Sequence, residues 1–444
     1  MNVREVIKDK NLGVVLQNSG WLIAEKIIGI SSGLLLSVFL ARYLGGDEFG
    51  RLNFLLSVII LITPLASLGL NGIITRELIQ KPEQSNVIIF TAIVFRFIAG
   101  FFALLFLVLA TYYGSWFPST GRVNLLILGS GYVFCAFQVV EYWFQSKLLS
   151  KYVVKARTLT LLVFSILKIL SVIKYNSVEI IVILTSIEIF FQSVILILPY
   201  HSLTKGVLKW RFEFKYGKNI VGQSYWLIFS GFAAVLYLKI DQIMIGVILD
   251  NKSVGIYAVA SRFSEIWYFI PTAIVTSLFP LLLKTKESDN QKYQAQLQNI
   301  FSILFWMAVL IALIMQFLSA PLIEFLYGEE YEMSSSVLII HIWAGLFIFM
   351  RALFSKWIIA ERLLYFSLLS QGTGAVVNIA LNYILIPIYG VKGAAVTTLI
   401  SYGVASWFIL FVNKKTIPIG IMMLKASIIP FMLILKKLKG TKCQ

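Results

Sequence analysis

Long apolar runs separated by short polar joints recur along the whole chain, too long and too continuously apolar to be the strands of a membrane barrel. A helical crossing of a bilayer needs roughly 20 apolar residues. About twelve runs reach that length, at 13–40, 49–75, 86–112, 123–146, 155–175, 178–200, 220–249, 254–283, 297–320, 334–360, 363–389 and 391–413. Backbone amides in hydrocarbon must bond within their own segment, so the pattern predicts an all-α polytopic membrane protein of about twelve transmembrane helices. A further stretch, Thr416 to Leu435, is apolar but carries Pro418, Lys425 and Pro430 and has lysines on both sides. Basic flanks disfavour a crossing, so it reads as an interfacial or re-entrant segment, with a thirteenth span as the alternative.

Composition agrees with the pattern, since 59% of the 444 residues are hydrophobic and 13% are charged. The net charge of +17 raises nucleic acid as a partner, but the placement of the basic residues argues against it. With the N-terminus in the cytoplasm, and charges in the terminal turn of a run counted with the adjoining segment, the inner segments hold 25 Lys and Arg, the outer loops hold 6, and seven fall well inside the runs. That asymmetry is the positive-inside bias, and it sets a multi-pass, N-terminus-in orientation. The mixed charges of the first twelve residues, followed by a run longer than a signal-peptide core, read as an uncleaved first span. Cys135 and Cys443 lie on different elements, as do His201 and His341, so neither a disulfide framework nor a metal cluster follows.

The chain also reads as two halves. LGGDEFG, from Leu44 to Gly50, joins the first two runs, and LDNKSVG, from Leu249 to Gly255, joins the seventh and eighth at an offset of 205 residues. Pro64 and Pro271 follow these turns at similar distances. A duplicated six-span unit would produce this, with the halves related by an axis along the membrane normal. The expected organisation is an N-terminal lobe at 1–205, a cytoplasmic linker at 206–218, a C-terminal lobe at 219–413 and a basic tail at 414–444.

Several strings carry a resemblance. LARYLGGDEFGRLNF at 40–54, YLKIDQIMIG at 237–246, VGIYAVASRFSE at 254–265, SLFPLL at 277–282, APLIEFLYGEEYEMSS at 320–335 and NYILIPIYGVKGAAVTTLIS at 382–401 are similar to the polysaccharide-biosynthesis (O-antigen, lipid-linked oligosaccharide) flippases. These belong to the multidrug/oligosaccharidyl-lipid/polysaccharide exporter superfamily. The resemblance implies two six-helix lobes around a central cavity. It also implies transport, without a cofactor, of undecaprenyl-diphosphate-linked oligosaccharide from the cytoplasmic to the periplasmic leaflet of a bacterial inner membrane. Partners would be that lipid, a coupling ion (H+ or Na+) and the polymerase or ligase machinery of O-antigen, capsule or exopolysaccharide. Longer members carry two more spans where this chain has the short tail after Asn413.

A diphosphate cannot cross hydrocarbon unaided, so such a protein needs cations in a wet cavity, where Arg can grip phosphate oxygens with a two-pronged guanidinium. Cations within spans are costly and mark function. The candidates for the substrate are Arg262, Lys26, Arg96 and Lys168, and those for ion coupling or charge pairing are Glu25, Asp241 and Glu265. Glu25 and Lys26 are adjacent and point about 100° apart, so one can face a cavity and the other a neighbouring helix. Lys239 and Asp241 are two apart and face nearly opposite ways; Asp241 serves either as a proton carrier or in a salt bridge. Arg262 and Glu265, three apart, share a face. Arg96 and Lys168 have no acidic neighbour within a turn, leaving Glu141, Glu188 or a ligand as partner. Arg351 and Lys356 approach the cytoplasmic end, where snorkelling accounts for them, and Trp116, Tyr112, Tyr113, Trp210 and Tyr327 read as the interfacial aromatic belt. A multidrug or cation antiporter would want carboxylates rather than cations in its cavity. A glycan polymerase or transferase would want larger outer loops, and no nucleophile with an adjacent base is present.

Overall fold

The computed structural model describes residues 10–114, 117, 121–204, 211–361 and 363–440. Trp116, Trp210 and Cys443 lie outside them. Seventeen α-helices follow one another in chain order among the described residues, in two compact units, Met1–Lys239 and Ile240–Gln444.

The first unit runs α1 (Lys10–Ile60), α2 (Thr63–Ser67), α3 (Asn71–Gln80), α4 (Ser85–Tyr113), α5 (Arg122–Val133), α6 (Val139–Ser146), α7 (Ser150–Tyr175), α8 (Val178–Val194), α9 (Ile197–Leu203) and most of α10 (Phe214–Ile248). The second continues through α11 (Asn251–Glu265), α12 (Phe269–Ser288), α13 (Asn290–Tyr327), α14 (Glu332–His341), α15 (Gly345–Ala360), α16 (Leu364–Ser406) and α17 (Ile417–Gly440). The division falls inside α10, between Lys239 and Ile240, rather than in a loop.

Among the described residues, ten helical stretches are long and apolar enough to cross a membrane. Two of them, Gly20–Gln80 with 61 residues and Tyr365–Val412 with 48, are long enough for two crossings each. Within each, a long helix is broken at a glycine whose backbone angles lie outside the helical region, Gly45 (φ 74°, ψ 171°) in α1 and Gly390 (φ 58°, ψ −141°) in α16. These angles are open almost only to a residue without a Cβ, so the glycines in LGGDEFG and YGVKGAA turn the chain. Counting both broken stretches twice accounts for the twelve apolar runs. Proline explains two further breaks. Pro64 opens α2 after the chain leaves α1, and Pro271 follows the short 3₁₀ link Ile266–Tyr268 between α11 and α12. In both cases the missing N–H interrupts the helical ladder.

Large apolar side chains cover the outside; Phe317 is 80% exposed and Phe106, Leu198 and Tyr383 are similarly bare. Such a surface is untenable in water over so many helices, and lipid is the solvent that accepts it. Helices packed in lipid gain little from apolar burial and rely on close contact. At the α5–α8 contact a Cβ on Gly131 would come within 2.8 Å of the Ser186 carbonyl, and Ser186 donates to the Ile127 carbonyl at 2.6 Å. In the first unit α3, α4 and α6 close a core around Ile88, Ile89, Val139 and Phe144. In the second, α12, α13, α15 and α17 close one around Phe301, Leu304, Phe349 and Phe354. The apolar tail forms a single helix, α17, held along α13 by Gln298 and Trp306, which donate to the carbonyls of Met422 and Ala426.

Candidate functional site

Polar chemistry inside the bundles gathers in two places, one in each unit. In the first unit, α1, α7 and α8 enclose a cavity of about 410 Å³ lined by Glu25, Lys26, Arg157, Thr158 and Gln192 among apolar neighbours. Glu25 and Lys26 both reach it, although adjacent on α1. Arg157 and Lys168 lie three turns apart on α7 and therefore share a face. Each meets a carboxylate from another helix. Arg157 Nη2 donates to Glu141 on α6 and Nη1 to Glu25 at 3.4 Å, while Lys168 Nζ donates to Glu188 on α8. A glutamine four residues on, one helical turn away, supports each partner: Gln145 donates to Glu141 at 2.8 Å and Gln192 to Glu188 at 3.0 Å. Lys168 is thus neutralised by Glu188, one of the partners left open by sequence.

Arg96 on α4 is 4% exposed. Its Nη1 donates to Tyr142 Oη at 3.3 Å, and that phenol donates to Asn71 Oδ1 at 2.5 Å. Its Nε has no partner. Among the described residues neither Lys26 nor Arg96, both within the apolar runs, forms an ion pair. The Thr158 hydroxyl is also buried at the cavity wall without a partner.

The second place surrounds Asp241, 2% exposed near the end of α10. Its Oδ1 accepts from Asn382 Nδ2 at 2.6 Å, and its Oδ2 from Thr398 Oγ1 at 2.7 Å and Tyr257 Oη at 2.9 Å. Asn382 and Thr398 come from the two arms of α16 on either side of Gly390, and Asn378 donates to Ser401 at 3.2 Å across the same arms. The glycine turn is what lets one helix present both groups to one carboxylate. The salt bridge open to Asp241 by sequence is replaced by neutral donors. A carboxylate without a counter-charge in a low-dielectric site is satisfied by a proton or a cation. Asn382 Oδ1, buried and without a partner, together with the Asp241 carboxylate, offers the oxygen ligands that a hard cation takes.

Arg262 and Glu265 sit half-buried in the last turn of α11. Arg351 does not snorkel: Nη1 donates to the Ala405 carbonyl at 2.9 Å and Nη2 to Ser370 Oγ at 3.2 Å. Lys356 stands over the Phe279 ring at 5.6 Å. Tyr112 and Tyr113 are exposed as an interfacial belt requires, whereas Tyr327 is buried against Phe263 and Tyr331. Arg157 lies at the start of its apolar run, among charges that read as cytoplasmic, so the sequence does not single it out. Nor does the sequence single out Asn378, Asn382, Thr398 and Tyr257, whose signal is uncharged polar side chains inside otherwise apolar runs.

The profile of a family described as polysaccharide biosynthesis protein matches residues 39–336. A probable low-salt glycan biosynthesis flippase, Agl15 of Haloferax volcanii, is 28% identical over 203 residues, which are 43% of this chain and 41% of that protein. The chain thus matches about two fifths of that relative's length. Among solved structures, the lipid II flippase MurJ in an inward closed conformation superposes with a TM-score of 0.69 at 17% identity, covering 95% of this chain and 93% of that one. An inward-facing multidrug resistance MATE family transporter superposes with a TM-score of 0.68 at 11% identity, covering 91% and 95%. At these identities the likeness is one of fold.

Proposed function

The chain belongs to the polysaccharide biosynthesis protein family, and on that premise we propose that it is a flippase rather than an enzyme. Its cargo is an undecaprenyl-diphosphate-linked oligosaccharide, carried from the cytoplasmic to the periplasmic leaflet of a bacterial inner membrane with the N-terminus inside. The glycan serves O-antigen, capsule or exopolysaccharide assembly. The observation that carries this reading is the cavity of the first unit, where Lys26 and Arg157 stand in a bundle otherwise built for hydrocarbon. A cavity of this size takes a phosphate-bearing head group, and charge-assisted bonds from Lys and Arg are the strong ones for it. Lys26 and Arg96 are the proposed contacts for the diphosphate in the first unit, and Arg262 is the candidate that the second unit contributes. Lys168, committed to Glu188, holds the cavity wall in shape. Asp241, with Asn382 and Thr398, binds the coupling Na+ or H+. The relative named as a glycan flippase supports the cargo class.

The test is complementation of lipid-linked glycan export by Lys26→Gln and Arg262→Gln chains expressed at wild-type level. Export is expected to fall about tenfold or more, since each substitution removes a charge-assisted contact to the cargo. Wild-type export by both variants overturns these assignments. Protection against cationic drugs without glycan export would instead make the chain a multidrug transporter.

A further inference from the structure

Arg157 is held in an unequal way. Its bond to Glu141 is deep, since that carboxyl side chain is 9% exposed and has its other oxygen occupied by Gln145. The bond to Glu25 is long, 3.4 Å, and made to a side chain 22% exposed at the cavity wall. Glu25 has no second partner among the described residues, and a guanidinium has five N–H groups, of which these bonds use two. One carboxylate therefore anchors Arg157 and the other only occupies it. The unpartnered Thr158 hydroxyl, on the residue next to Arg157, lines the same cavity. With Glu25 in place, the two cations that line the cavity, Lys26 and Arg157, are offset by Glu25 on the same wall and by Glu141, which pairs with Arg157.

From this arrangement we infer that Arg157 is a further anion-binding residue and that Glu25 is its built-in competitor, a carboxylate that an incoming phosphate or diphosphate must displace. Glu141 positions the guanidinium, and Thr158 donates to the arriving oxygen. A displaceable internal anion keeps the site from remaining a bare cation pair in low dielectric, where unpaired charge is costly. It also loosens the grip on cargo, because Glu25 returns to Arg157 as the phosphate leaves. Binding that is too tight would stall release, so the competitor sets specificity and turnover together. The inference rests on the reading that the cargo carries a phosphate head.

The test is calorimetric titration of the full chain in lipid nanodiscs with inorganic pyrophosphate and, separately, with farnesyl diphosphate. Glu25→Gln, which keeps the shape and removes the charge, is expected to tighten binding by about twofold to fivefold, the range of a partly exposed ion pair released. Arg157→Gln is expected to weaken it at least about tenfold, with Arg157→Lys intermediate because the two-pronged grip is lost. Dependence on Glu25 with pyrophosphate assigns the site to the anion itself; the same dependence with farnesyl diphosphate alone assigns it to a lipid-borne head. Unchanged or weaker binding of both probes by a folded Glu25→Gln chain overturns the inference, even if Arg157→Gln fails to fold. Translocation of lipid-linked glycan, measured alongside, separates the two readings. Competition by Glu25 without glycan transport defeats the flippase assignment, and glycan transport without competition defeats this one.

Discussion

Lys168 and Glu188 come from different helices, and both side chains are nearly closed off from solvent, at 7% and 13% exposure. Removing one member of a buried pair leaves the other charge uncompensated, which costs about 3–5 kcal/mol, whereas replacing both by apolar groups is close to neutral. Lys168→Met is therefore expected to lower the thermal unfolding midpoint in detergent markedly. The double replacement Lys168→Met with Glu188→Leu recovers most of it, and equal losses from the single and double changes would contradict a structural pair. Arg157 behaves differently at the same scale. Its two carboxylates differ in burial, so one contact is structural and the other open to exchange.

At the level of elements, the glycine turn of α16 matters most. Gly390 sits at φ 58° and ψ −141°, and a side chain there is strained by about 1–3 kcal/mol whatever the free space. Gly393, in the same turn, approaches the Leu385 carbonyl so closely that an added Cβ would stand 2.3 Å from it. Gly390→Ala is expected to lower stability by that amount and to separate Asn382 from Thr398, the two arms that share Asp241. Gly372→Ala on the same helix, where a Cβ would meet nothing within 4 Å, serves as the control and is expected to leave both stability and transport intact. Thermal unfolding of the two variants side by side checks the pair.

At the scale of the whole molecule, the proposed ion site is the buried carboxylate of the second unit, whereas the cavity proposed for the cargo, with Lys26 and Arg157, belongs to the first. Asp241→Asn keeps the side-chain shape and removes the charge. In proteoliposomes it is expected to abolish the dependence of transport on a Na+ or H+ gradient and to slow transport about tenfold, an ordinary coupling strength. Gradient-dependent transport by the variant at the wild-type rate would exclude Asp241 as the ion site. Much of the protein was legible from the chain alone. The length and continuity of the apolar runs demand helices in lipid, and the strings around Gly45 and Gly390 mark both the family and the turns, because backbone satisfaction and glycine geometry are local matters. Asp241 and the in-span cations were likewise conspicuous, since charge in an apolar run stands out wherever it folds. Which charges cancel was decided only by packing. Arg157 finds Glu25 and Glu141 from positions 132 and 16 residues away, and Asp241 finds Thr398 from 157 residues away. Pairing depends on which helix faces meet, and period and composition along a single chain carry no record of that.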